Sequence, residues 1–103
     1  MTPTEYQSKC YDYALDRAKT LSYLITGLCA EAGEVAGKYA KWERDGDEDC
    51  FRAIPKEVGD VLWFCAMLCT KFGFSLEDVM RQNIEKLESR KQRGKIGGSG
   101  DDR

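Results

Sequence analysis

The sequence predicts an all-α fold built from four helices. Apolar residues recur at three- and four-residue steps along most of the chain, the spacing of helices with one buried face. Capping residues and glycines divide the chain into four such segments. A length of 103 residues fits one domain with a modest core. We therefore expect one helical domain over residues 1–93 and a glycine-rich C-terminal tail over residues 94–103.

Helices one and two have clear local signals. Thr2-Pro3-Thr4-Glu5 combines a threonine cap, proline at the first helical position and a glutamate that can reach back to the cap. Helix one is therefore predicted from Pro3 to about Ala18. A single apolar stripe predicts a long helix two between Thr20 and Arg44. Its residues are Leu21, Leu24, Leu28, Ala32, Val35 and Tyr39.

Turn and capping residues in the second half of the chain predict two more helices. Gly46, among turn-forming acids, ends helix two, and helix three is expected to begin between Glu48 and Pro55 and to end at Phe72. Ser75 then caps helix four, which should run to about Lys91. The tail holds four glycines, so we expect it to be flexible unless something binds it.

The predicted lengths indicate an oligomer. A helix of about 25 residues is roughly 37 Å long, which is more than a domain of this size covers with its own helices. Helix three is also apolar on nearly every side between Val58 and Leu68. We expect helices two and three to complete the bundle by packing against another subunit, in a homodimer or homotetramer. A well-covered central helix is the alternative.

Composition narrows the classes of partner. The chain has 16 basic and 18 acidic side chains, so no overall basic field predicts a duplex nucleic acid partner. The apolar stretch Val61–Cys69 is far shorter than the roughly 20 residues of a membrane span, and no signal sequence is visible at the N-terminus. We expect a soluble cytoplasmic protein without a membrane partner. Five scattered cysteines and no histidine suggest neither a disulfide framework nor a zinc site.

Two pairs of carboxylates carry the strongest chemical signal. Glu31 and Glu34 share one face of helix two, and Glu57 and Asp60 share one face of helix three. Uncompensated charges beside apolar residues are costly, so these acids need cations. Ligands that are all oxygen favour Mg²⁺, with Mn²⁺ as a substitute, over zinc, copper or iron. Solvated glutamates on an ordinary helix surface are the alternative.

Basic and aromatic residues supply candidates for substrate contact. Lys38 lies on the same side of helix two as Glu34, and either it or Lys41 could reach a phosphate. Asn83, Lys86 and Arg90 share one face of helix four, where phosphate or sugar contact competes with simple solvation. The candidates for stacking on a base, which are also candidates for the core, are Tyr23, Trp42, Trp63 and Phe64.

These motifs together resemble the all-α nucleoside triphosphate pyrophosphohydrolases of the MazG-like group. The resemblance rests on ExxE (Glu31, Glu34), a spacer of 22 residues, and ExxD (Glu57, Asp60). It extends to NIEKLESRKQRGKIGGSGDDR, which is similar to the C-terminal segment of small MazG-like proteins. The resemblance covers nearly the whole chain and implies a MazG-like bundle.

The resemblance also implies a reaction and a set of site residues. A nucleoside triphosphate would be cut between its α and β phosphates to give a monophosphate and pyrophosphate, which removes unwanted nucleotides from the pool. The implied metal-binding and catalytic residues are Glu31, Glu34, Glu57 and Asp60. The implied substrate-binding residues are Lys38, Lys41, Asn83, Lys86, Arg90 and Arg93.

Several alternatives stay open. Some relatives carry an additional acid where this chain has Ala30, so the number of metal ions is open. The chain could instead be a non-catalytic, oligomeric nucleotide-binding or regulatory protein. It could also be an enzyme of the same fold that acts on another phosphate ester or on a diphosphate.

Overall fold

The computed structural model describes all 103 residues and contains four α-helices and no strand. In chain order the elements are α1 (Pro3–Tyr13), a 3₁₀ helix (Asp16–Lys19), α2 (Leu21–Asp45), α3 (Glu48–Phe72) and α4 (Leu76–Gln92). The predicted all-α class with four helices is confirmed.

Side-chain caps fix the starts of the helices. The hydroxyl of Thr2 accepts a hydrogen bond from the backbone N–H of Glu5, and the hydroxyl of Ser75 accepts one from Asp78. Asp47 caps α3 and so sets its start at Glu48. Each cap satisfies an N–H group that has no partner within its helix.

Helix one is shorter than predicted, because α1 ends at Tyr13 and not near Ala18. Ala14 and Leu15 are extended, and the 3₁₀ helix follows them. Ala14 packs against the core and Ala18 is buried, so tertiary contacts prevail here over the local preference for helix. Neither glycine nor proline marks this break in the sequence.

Helices α2 and α3, of 25 residues each, form a hairpin that makes up about half of the chain. Gly46, at a φ of 65°, ends α2 in the left-handed region that glycine adopts without strain. The core lies between the hairpin and α1, and its most buried side chains are Leu24, Ala66 and Met67. Pro55 lies inside α3 and removes one hydrogen bond from that helix without ending it.

The chain alone leaves much of its apolar surface uncovered. Its Cα radius of gyration is 16.4 Å, whereas a compact domain of 100 residues has about 13 Å. Exposed apolar side chains line all of the long helices, among them Ile25 on α2, Leu62 on α3 and Ile84 on α4. No single helix is long and apolar enough to cross a membrane, and α3 and α4 reach that length and composition only together, as a pair bent by 107°.

Candidate metal centre

The α2–α3 hairpin brings the two predicted carboxylate pairs to the same level. Glu31 lies 15 residues before the turn residue Gly46, and Asp60 lies 14 residues after it. Both helices rise by the same distance per residue, so Glu31 is level with Asp60, and Glu34 is level with Glu57. The near symmetry of the spacing about the turn therefore unites acids that are distant in sequence.

Three of the four acids form a carboxylate cluster, consisting of Glu31, Glu57 and Asp60. One carboxylate oxygen of each residue lies within 4.8 Å of the others. Glu31 and Glu57 are half-buried and Asp60 is exposed, so the cluster is open to solvent on one side. Oxygen donors from two packed helices can hold a divalent cation at this point.

Repulsion within the carboxylate cluster favours a bound cation. The pKa of Glu31 is raised above its ordinary value of 4.5, first by partial burial of the carboxylate and then by the charges of Asp60, Glu57 and Glu34. A divalent cation among these oxygens would replace repulsion with attraction. The donors are all carboxylate oxygens and the chain has no histidine, so the set fits a hard ion such as Mg²⁺ or Mn²⁺.

Lys38 is the predicted phosphate contact that the structure brings to the cluster. Its Nζ lies 3.9 Å from Oε1 of Glu57, and both side chains are mostly buried. Lys38 is two helical turns beyond Glu31 on α2, so its flexible stem reaches the cluster from the side of the hairpin turn. A cation here offsets part of the negative charge and leaves a positive group beside the metal position.

Glu34 does not join the three clustered oxygens. Its side chain is exposed, although its charge acts on Glu31. The sequence alone could not separate Glu31 from Glu34, because the rotation of α2 about its axis depends on how the helix packs against α3.

Known proteins match this region of the chain. A family model described as the MazG nucleotide pyrophosphohydrolase domain matches residues 19–94. The chain belongs to the MazG family. This confirms the resemblance that was based on the carboxylate motifs and the C-terminal segment.

Two relatives of this MazG domain are similar over most of their length. The gene 37 protein of Mycobacterium phage L5 is 42% identical over 92 residues, which cover 85% of this chain and 81% of the phage protein. The uncharacterized protein YvdC of Bacillus subtilis (strain 168) is 39% identical over 72 residues, which cover 61% of this chain and 68% of YvdC. No solved structure gives a significant match. The names of these relatives do not specify a substrate.

The remaining predicted substrate residues of the MazG domain lie in two other places. Lys41 lies near the α2–α3 turn, where the pKa of Asp45 is lowered, chiefly by its pair with Arg44 and to a lesser degree by Lys41. Asn83 is exposed on α4. Lys38 is the basic residue that forms an ion pair with a cluster carboxylate, and neither Lys41 nor Asn83 makes such a contact.

The cations at the end of α4 hold the C-terminal tail. Nζ of Lys86 lies 3.2 Å from Oδ1 of Asp101, and Nη2 of Arg90 lies 3.3 Å from the same oxygen. Arg90 also donates to the backbone carbonyl of Asp101, and Arg93 donates to the backbone carbonyl of Arg103 at 2.8 Å. Arg90 is only 4% exposed, and its buried Nε has no hydrogen-bond partner.

Tyr6 of α1 lies close enough to the carboxylate cluster for the charge of Asp60 to affect its pKa. Burial raises the pKa of Tyr6 to about 12, with smaller contributions from its hydrogen bond to Cys10 and from the charge of Asp60. The hydroxyl of Tyr6 is thus engaged with Cys10 at the side of the cluster formed by α3. Sequence reasoning did not select Tyr6, because nothing in the sequence places α1 beside α3.

Sequence reasoning also missed a cavity beside Glu31. The cavity follows α2 from Glu31 back past Gly27 toward Thr20, and Phe64 of α3 forms part of its wall. The signal that could have found it is the four-residue step from Glu31 to Gly27 and from Asp60 to Phe64, which keeps these residues on the faces that carry the acids.

Proposed function

We propose that this MazG-family protein is a Mg²⁺-dependent nucleoside triphosphate pyrophosphohydrolase. The proposed reaction adds water to a ribo- or deoxyribonucleoside triphosphate and releases the monophosphate, pyrophosphate and a proton. The observation that carries the proposal is the cluster of Glu31, Glu57 and Asp60, whose oxygens lie within 4.8 Å of one another inside the matched region.

The proposed roles follow from charge. Glu31, Glu57 and Asp60 would hold the metal ion, with Glu34 as a further ligand. When bound, Mg²⁺ would neutralise phosphate oxygens and lower the pKa of a water molecule. A carboxylate of the set would accept the proton that the water loses. Lys38 would contact the triphosphate from the side of Glu57.

The basic residues at the end of α4 would have to exchange partners to contact substrate. Lys86 and Arg90 bind Asp101 in this structure, so a phosphate would have to displace that carboxylate. We also propose that Lys41, Asn83 and Arg93 contact the substrate. They would reach a substrate bound either in their own subunit or in a neighbouring one. The whole reaction would remove unwanted nucleotides in the cytoplasm.

The test combines product analysis with a matched pair of variants. Purified protein is incubated with Mg²⁺ and each common ribo- or deoxyribonucleoside triphosphate, and the products are separated by ion-exchange chromatography. We expect the wild type to form monophosphate and pyrophosphate. Addition of a chelator should abolish this turnover, because it removes Mg²⁺. Glu57→Gln should reduce kcat by roughly 10²- to 10³-fold. The variant removes a charged contact that would stabilise the transition state by about 3 to 4 kcal/mol.

Glu43→Gln is the control for Glu57→Gln, because Glu43 is an exposed glutamate of α2 outside the carboxylate cluster. It should retain full activity. Equal activity of the two variants would exclude the assigned site. Nucleotide binding without turnover would favour the non-catalytic, regulatory alternative. Turnover of only a diphosphate or another phosphate ester would favour an enzyme of the same fold with a different substrate.

A further inference from the structure

A cavity of about 520 Å³ adjoins the carboxylate cluster, and we call it the α2 cavity. It is lined chiefly by Arg17, Tyr23, Thr26, Gly27, Glu31 and Phe64. Its volume lies in the range of small-molecule sites, which is about 300 to 1,000 Å³. Because Glu31 belongs both to the cavity wall and to the carboxylate cluster, a molecule in the cavity could extend directly to a metal ion.

Two aromatic rings form one wall of the α2 cavity. The ring centroids of Tyr23 and Phe64 are 5.9 Å apart, with an angle of 31° between the ring planes. Phe64 is buried in the core, whereas Tyr23 is 46% exposed and lines the cavity, so part of its side chain is accessible to a ligand. Such a wall suits a flat aromatic ligand.

Gly27 determines where the ring of Phe64 lies. A Cβ atom at Gly27 would lie only 2.2 Å from the nearest ring carbon of Phe64, so any larger residue would displace that ring. Gly37 on the same helix has nothing within 4 Å of the corresponding position. The absence of a side chain at Gly27 therefore has a specific structural effect at the cavity.

The α2 cavity also has polar groups without protein partners. Neither the hydroxyl of Thr26 nor the guanidinium of Arg17 makes a side-chain hydrogen bond or ion pair in the structure, and both line the cavity. These groups can hydrogen-bond to the polar edge of a ring that stacks on Tyr23.

We infer that the α2 cavity binds the nucleobase of the substrate, with Tyr23 as the stacking residue and Gly27 as the residue that positions Phe64. This inference rests on the proposed function, because it requires the triphosphate to reach the carboxylate cluster. Gly27 and Glu31 are one helical turn apart, about 6 Å along the axis. A nucleotide with its phosphates at Glu31 would then place its base beside Gly27.

The other aromatic candidates do not line this cavity. Trp42 packs against Phe51 and Tyr39, with ring-centroid distances of 4.8 and 5.8 Å. Trp63 makes an edge contact with Phe64 at 5.0 Å. Tyr23 is therefore the candidate with an exposed side chain in the cavity that Glu31 also lines.

Tyr23→Ala and Tyr39→Ala form the first test. Both tyrosines lie on α2 and are nearly equally exposed, at 46% and 49%, but Tyr39 is outside the cavity. Loss of one base-stacking contact should weaken binding of a nucleoside monophosphate, measured by calorimetry with Mg²⁺, by about tenfold in Tyr23→Ala. Tyr39→Ala should bind it as the wild type does.

Inorganic triphosphate separates base binding from phosphate binding. This probe has no base, so its inhibition constant should be the same in the wild type and in Tyr23→Ala, whereas kcat/KM for the nucleoside triphosphate should fall by about tenfold. Equal losses for both probes would overturn the inference, because they would place Tyr23 at the phosphates or in the fold.

Gly27→Ala and Gly37→Ala form the second test. Gly27→Ala should change the ratio of kcat/KM values among the bases, because it displaces Phe64, and Gly37→Ala should leave that ratio unchanged. Unaltered base selectivity and unaltered monophosphate binding in both cavity variants would overturn the inference.

Failure of the proposed function would be distinguishable from failure of this inference. A wild type without turnover would contradict the proposed function alone. Calorimetry with a nucleoside monophosphate would then still test the inference. Weaker binding in Tyr23→Ala than in the wild type would support it, and equal binding would overturn it.

Discussion

At the scale of single residues, Lys38 is positioned to affect both metal binding and substrate binding. It lies beside Glu57, so it competes with a metal ion for that carboxylate but can also attract a phosphate. In Lys38→Gln we expect Mn²⁺, as a spectroscopic probe for Mg²⁺, to bind at least as tightly as in the wild type. KM for the triphosphate should rise about two- to fivefold, since one partly screened ion contact is lost.

The control for this variant is Lys9→Gln, which changes an exposed lysine of α1. It should alter neither Mn²⁺ binding, followed by electron paramagnetic resonance, nor KM. Weaker Mn²⁺ binding in Lys38→Gln would contradict the assignment, because removal of a competing cation cannot weaken a metal site by electrostatics alone.

At the scale of single residues, the sequence identified the acids that lie together but not how they are arranged. The ExxE and ExxD motifs identified all three members of the carboxylate cluster. They did not show that Glu34 lies outside the three clustered oxygens, since that depends on the packing of α2. Tyr6 and Gly27 could not be selected at all, because their surroundings depend on contacts between different helices.

At the scale of the elements, local signals predicted the helices wherever a cap or a glycine was present. Thr2 and Ser75 cap helices as the sequence predicts, and Gly73 ends α3. The end of helix one was wrong because Ala14 and Leu15 carry no local signal, and core contacts decide their conformation. Local rules therefore fail here at the one boundary that tertiary packing sets.

The tail and α4 form an element-scale contact that depends on charge. Lys86 and Arg90 lower the pKa of Asp101 below its ordinary value of 3.8. A lowered pKa in the folded state means that Asp101 stabilises the contact at pH values above 3.8 and that this contribution is lost as pH falls through the lowered pKa. The tail should therefore detach in acid.

Asp101→Asn should loosen the tail at neutral pH in the same way. We expect lower ¹⁵N heteronuclear NOE values for the amides of Gly97, Gly98 and Gly100, because the charged contacts to α4 are lost. Asp102→Asn is the control, since Asp102 is exposed and the ion pairs to Lys86 and Arg90 are made by Asp101. An equally ordered tail in wild type and Asp101→Asn would show that the carboxylate does not hold it.

The whole molecule raises the question of what covers its exposed apolar surface. Val58 and Leu62 lie one turn apart on α3, and they are 50% and 46% exposed. The large radius of gyration, 16.4 Å, also indicates that the chain alone does not complete a compact bundle. Burial of this surface against a second copy would supply the hydrophobic contribution that the small core lacks.

We therefore expect light scattering at micromolar concentration to give two or four times the chain mass of 11.7 kDa. Leu62→Lys should shift the protein toward monomer, because the charge would be buried without a partner at the interface. Tyr13→Lys changes another exposed apolar residue at the end of α1 and should leave the assembly intact. A wild type of 11.7 kDa would mean that α2 and α3 function with their apolar faces in water.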